Sequence, residues 1–167
     1  MESLMSWLIW HTGAWFGWIV RDYPWIWGIA GVFHFIGLAL LVGASGVLNL
    51  RLLGFMKRVP VEALMDLMPW AIAGFTITLV TGIIFVGGTP GRFLGSFAFN
   101  MKMLFILAAG INVLYFQVFL WPKDRHVGSA QDASTSAAVV AGVSLFCWMA
   151  ISYFGLLLTR RYPRIPF

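Results

Sequence analysis

Four stretches of this chain run for 20 residues or more with few polar interruptions, at residues 25–50, 67–86, 97–120 and 137–158. None alternates polar with apolar positions, so none reads as a strand with one wet face. At about 1.5 Å of rise per residue, a helix of about 20 residues crosses a hydrocarbon core about 30 Å thick. In that medium every backbone polar group needs an internal partner, and a continuous apolar run finds one by coiling into a helix. The runs are bounded by "RDYP", "MKRVP", "GGTPGR", "WPKDRH" and "TRRYPRIP", whose prolines, glycines and charges suit helix ends.

A shorter apolar stretch, "MSWLIWHTGAWFGWIV", precedes the first run and carries Trp7, Trp10, Trp15 and Trp18. Its 16 residues would reach about 24 Å as a helix, short of the bilayer core. Tryptophan favours the headgroup boundary, so the stretch reads as a helix lying in the interface. A fifth, slanted span is the alternative. The expected architecture is therefore all-α and integral to the membrane: a four-transmembrane-helix bundle with an N-terminal Trp-rich interfacial helix. Its parts are an interfacial amphipathic helix at 1–22, the bundle at 23–160 and a short basic tail at 161–167.

Composition agrees with that reading. The chain has 167 residues, 60% of them hydrophobic and 10% charged, with a mean hydropathy of +0.87. A soluble domain of this size would have to expose much of that apolar surface to water. The net charge is +5, but the basic residues cluster at the ends of the runs, where they meet headgroups rather than nucleic acid. Glu2 stands where a signal peptide carries positive charge, so the opening is not read as a cleavable leader. Arg21, Arg92, Arg160, Arg161 and Arg164 fall on one side of the membrane; Arg51, Lys57, Arg58, Lys123 and Arg125 fall on the other. The balance leaves orientation open. Cys147 is the sole cysteine and reads as a small buried hydrophobe.

Chemistry enters with His34. It lies nine residues into the first run, about 14 Å along the helix axis. An imidazole at that depth faces the bundle interior and has a partner there. Three partners fit: a polar group on another helix, a metal or haem iron, and a moving proton. Gly31 and Gly37 flank it at three residues either side. Such glycines admit either a neighbouring helix or a flat macrocycle.

Lys102, in "FNMKMLFIL" near the start of the third run, shares one half of the bundle with His34. It either snorkels to the headgroups or points its charge inward, toward a group such as a haem propionate. Arg92 and Arg21 are further candidates for propionates. His11, in the interfacial stretch, is a candidate second axial ligand, and His126 reads as a loop residue. Asn49, Asn112, Gln117, Thr76, Thr78 and Thr81 read as interhelical hydrogen-bonding groups. Thr76 and Thr78, two residues apart, cannot both face inward. Phe33, Phe35, Phe75, Phe105, Tyr115 and Phe116 are candidates for a ring pocket or for ordinary packing.

The stretch "HFIGLALLVGASGVLNLRLLGF", with Arg51 seventeen residues after His34, resembles the first core helix of the HemJ-type and copper-resistance-D-like membrane families. HemJ-type proteins are small helical bundles that act as protoporphyrinogen IX oxidases and bind haem b. A first-helix histidine and a third-helix lysine characterise them. The resemblance covers roughly residues 25–120 and implies that His34 and Lys102 take those places. Two departures stand out. Leu41 and Val42 occupy the position of an expected aromatic, and Asn112 and Gln117 stand where that type tends to carry a histidine. The cofactor therefore carries over more readily than the oxidase activity.

The expectation is a protein of a bacterial inner (cytoplasmic) membrane that binds haem b through His34, with Gly31, Gly37, Lys102, Arg92 and His11 around the site. It would exchange electrons with a quinone, a porphyrin or a partner protein, as a homo-oligomer or within a larger membrane complex. Nucleic acid is not an expected partner. The alternatives are a cofactor-free accessory subunit of a membrane complex and a proton or metal conduit. The lack of intramembrane carboxylates speaks against the conduit.

Overall fold

The computed structural model describes residues 22–124 and 133–160, together with Gly17 and Val20. Among these the secondary structure is helical, without strands. The first span is α1, Trp25–Leu52. A short α2, Val61–Met65, leads through one turn into α3, Met68–Gly88, and together they make the second span. A single-turn α4, Pro90–Phe93, precedes α5, Phe97–Tyr115, which widens into a π-helical turn at Phe116–Leu120 to complete the third span. After α6, Trp121–Asp124, comes α7, Thr135–Arg160, the fourth span. All four spans are long and apolar enough to cross a membrane, as the hydropathy pattern predicts. The expected interfacial helix and basic tail lie outside the described residues, apart from Gly17, Val20 and Asp22.

Prolines and one glycine punctuate the chain. Pro24 and Pro60 precede α1 and α2, and Pro69 and Pro90 sit in the first turns of α3 and α4, where a missing N–H leaves no gap. At the end of α1, Phe55 N–H reaches Leu50 O and Gly54 N–H reaches Arg51 O, each at 3.0 Å. This is a Schellman closure, and it requires the left-handed backbone that Gly54 adopts at φ 90°. The π turn falls just before Pro122, whose ring would meet the Val118 carbonyl in a regular helix. Arg51 is wholly buried beneath the following turn, its Nε donating to Val59 O.

The bundle is built from two helix pairs. α1 packs on α3, α5 packs on α7, and α1 joins α7. α3 and α5 barely meet. The α1–α3 pair is drawn together at Gly37 and Gly74. A Cβ on Gly74 would stand 2.6 Å from Gly37 O, and one on Gly37 would stand 2.8 Å from Gly74 O. Neither position can carry a side chain while the backbones approach this closely. One core cluster, around Leu48, Leu52, Val61, Phe116 and Ala141, fills the end of the bundle near Arg51. A second, around Leu41, Ala71, Ala109, Cys147 and Ile151, fills the middle. Large apolar side chains such as Phe35, Leu107, Phe146 and Met149 project outward, as a surface solvated by lipid tails requires.

Polar side chains tie the spans. Asn49 Nδ2 donates to Ser144 Oγ at 2.9 Å, linking α1 to α7, and Asn112 Nδ2 donates to Val140 O at 3.0 Å, linking α5 to α7. Thr78 faces inward at Gly37, whereas Thr76 is exposed and donates to Ile72 O. The two therefore diverge as their spacing predicts.

Candidate functional site

His34 is half-buried on α1 and finds its partner on α3. Its Nδ1 lies 2.7 Å from Thr81 Oγ1. The Thr81 hydroxyl has a single proton, and it lies 2.8 Å from Ile77 O and 3.1 Å from Thr78 O. Placed on a backbone carbonyl, that proton leaves Thr81 to accept from an Nδ1–H; placed on Nδ1, it makes Thr81 the donor to an imidazole protonated at Nε2. In the first arrangement Nε2 is the unprotonated nitrogen. Phe85 packs edge-on to the ring at 5.4 Å between centroids, and Gly82 leaves room for the imidazole edge. No pattern in the sequence singles out Thr81 from Thr76 and Thr78 as this partner.

The two glycines flanking His34 have different surroundings. Residues three apart fall about 60° short of a full turn, so they lie on opposite shoulders of the histidine. Gly37 faces α3 and is covered by Thr78 Oγ1 and the Gly74 backbone. Among the described residues, Gly31 has no atom within 4 Å of where its Cβ would be. The neighbouring helix thus takes the shoulder that sequence reasoning offered to a macrocycle or a helix alike.

Lys102 lies on α5, in the turn after its first. Its Nζ lies 3.6 Å from where a Gly155 Cβ would be, turned toward α7. Among the described residues no carboxylate pairs with it. Arg92 is occupied elsewhere: its Nη2 donates to Leu158 O at 2.7 Å, and its guanidinium lies 5.6 Å from the Phe93 ring. This capping of the last carbonyls of α7 is a structural role. His11, Arg21 and His126 lie outside the described residues. Of the aromatic candidates, Phe105 stacks on Phe154 and Phe116 is buried in the core, while Phe33, Phe35, Phe75 and Tyr115 are exposed.

The sequence did not foreshadow a cavity inside the bundle. Because α3 and α5 diverge, a cleft of about 370 Å³ opens between them. Its walls are nearly all apolar and include Leu41, Ala71, Phe75, Ile106, Ala109 and Trp148. Ser45, Asn49, Thr78, Asn112 and Ser144 also reach the lining, and Lys102 stands at one end. Trp148 is buried, and its indole N–H has no acceptor among the described residues. A second hollow of about 340 Å³ is a groove on the outer face of the α1–α3 pair, between Trp25 and Ile84.

His34 lines neither cavity. The second groove nonetheless runs beside it, lined by Ala30, Phe33 and its partner Thr81. The described residues contain no cluster of three or more histidine, cysteine or carboxylate groups that could hold a metal ion. No protein-family model, no curated protein and no solved structure matches the chain.

Proposed function

We propose that this membrane protein binds a lipid-soluble molecule, admitted sideways from the bilayer between the second and third spans. The observation that carries this reading is the cleft between α3 and α5, apolar along its walls and charged at one end by Lys102. Ligand sites are typically concave and apolar with few polar groups, and they occur between the helices of bundles. Asp22, Glu62 and Asp66 are all exposed near the helix ends. The described interior therefore holds no carboxylate to act as general acid or base, and its walls suit binding better than catalysis.

The test is saturable binding of an apolar fluorophore such as pyrene to the full chain in nanodiscs. Gly110 lines the cleft and has no atom of the described residues within 4 Å of where its Cβ would be. Gly110→Phe is expected to fill the cleft and weaken binding at least about tenfold, a loss of about 1.4 kcal/mol. Gly28→Phe, equally clear of the described residues but away from the cleft, is expected to leave binding unchanged. Equal binding by all three proteins would overturn the reading.

A second reading, haem b at His34, is favoured by the Thr81 contact. A hydrogen bond to one ring nitrogen commonly fixes the tautomer and orientation of a histidine ligand. Haem would supply one-electron chemistry.

A further inference from the structure

We infer that the occupant of the cleft is a single-chain lipophilic carboxylic acid, with its head at Lys102 and its chain running along the cleft toward Leu52. The inference rests on the binding function proposed above and names the ligand class.

The polarity of the walls carries the argument. Most polar side chains that reach the lining are already engaged within the protein. Ser45 donates to Leu41 O and Thr78 to Gly74 O. Asn49 donates to Ser144, and Asn112 to Val140 O. Lys102 has no such partner among the described residues. Five residues into α5, its Cα lies about 8 Å from the start of the helix. The site thus has one cationic end and a long apolar body. An ionisable group facing the interior of a membrane bundle marks a ligand or ion path. Its complement is an anion at one end of a hydrocarbon chain.

Shape restricts the class further. The lining runs from Leu38 to Leu52 along α1, about 21 Å of helix. A volume of about 370 Å³ along that length accommodates one extended hydrocarbon chain. A carboxylate also balances the single charge of Lys102, whereas a phosphate monoester carries nearly two charges near neutral pH. Gly155 leaves the niche beside which the ammonium rests.

The experiment uses the full chain in nanodiscs of zwitterionic lipid. The probe is parinaric acid, a fluorescent single-chain fatty acid, compared with its methyl ester. The acid is expected to bind saturably and at least about tenfold more tightly than the ester. Lys102→Met is expected to abolish that preference and Lys102→Arg to retain it. Gly155→Leu, which crowds the niche, is expected to reduce it. If acid and ester bind equally, or if Lys102→Met keeps the preference, the acidic head is wrong. If Gly110→Phe still weakens both probes in that case, the cleft reading survives without it. Binding of neither probe nor of pyrene overturns both proposals. If a two-chain phosphatidic acid displaces parinaric acid as well as palmitic acid does, the single-chain assignment is overturned.

Discussion

His34 on the first span and Thr81 on the second meet at 2.7 Å, and the same threonine hydroxyl lies 2.8 Å from Ile77 O and 3.1 Å from Thr78 O. The pair makes a local prediction. Thr81→Val removes the hydroxyl while keeping the shape of the side chain. Interhelical hydrogen bonds in membranes contribute about 0.6 kcal/mol on average and up to about 1.7 kcal/mol. A loss of about 1 kcal/mol is therefore expected on unfolding in mixed detergent micelles. Nitrogen NMR of labelled histidine is expected to show one tautomer in the parent protein, Nδ1–H if Thr81 accepts and Nε2–H if it donates, and a mixture in the variant. A mixture at His34 in the parent would contradict the contact.

The Gly37–Gly74 crossing predicts a sharper effect. A Cβ on Gly74 meets backbone atoms of Gly37 and Leu41 at 2.6 Å, and backbone cannot swing aside as a side chain does. Overpacking a close contact typically costs about 1–3 kcal/mol. Gly74→Leu is expected to fall at or above the top of that range and to separate α1 from α3. Gly31→Leu, with nothing among the described residues within 4 Å of its Cβ position, is expected to leave stability within about 0.5 kcal/mol. Thermal unfolding in detergent, followed by intrinsic tryptophan fluorescence, separates the two. Comparable losses at both positions would mean that the helices do not cross here.

These residues also show how much could be read from the chain. The four spans were legible because the bilayer imposes a length and an apolar composition that local sequence records directly. The depth of His34 and its need for a partner were legible for the same reason. Partner identity was not, because it depends on which shoulder of α1 meets α3. Gly31 and Gly37 are equivalent in sequence, yet one meets none of the described residues where its side chain would be and the other is pressed against Gly74. The cleft was hidden for a related reason. It arises because α3 and α5 fail to pack, and no local pattern reports a contact that two distant segments do not make. Arg51 reads as a headgroup-facing charge at the end of a run, but the turn over Gly54 folds back and encloses it.

Asn49 and Ser144 are both buried and hydrogen-bonded to each other across α1 and α7, which makes them suited to a double-mutant cycle. Asn49→Ala alone leaves the serine hydroxyl without this partner, and Ser144→Ala alone leaves the amide without its acceptor. The double variant removes both groups, so the non-additive part isolates the pair. A coupling of about 0.6–1.7 kcal/mol is expected in micelle unfolding. Because both side chains line the cleft, the same variants also report on the ligand. Acid binding is expected to change less than about threefold, well below the effect at Lys102. A tenfold loss in either single variant would place the acidic head near the middle of the cleft instead.

The haem reading has its own decisive measurement, independent of the cleft. After expression with excess haem, absorption spectra of the purified protein, oxidised and then reduced, report on bound b-type haem. If Nε2 of His34 binds iron, the wild type is expected to show a Soret band and His34→Ala to lose it. Thr81→Val is expected to shift the midpoint potential while retaining the band, because it alters the hydrogen bond to the ligating ring and not the ligand itself. Gly110→Phe, placed in a cavity that His34 does not line, is expected to leave the spectrum unchanged. A band that survives His34→Ala would move the iron to another ligand. A featureless wild-type spectrum would remove haem from the function and leave the lipid-soluble ligand of the cleft.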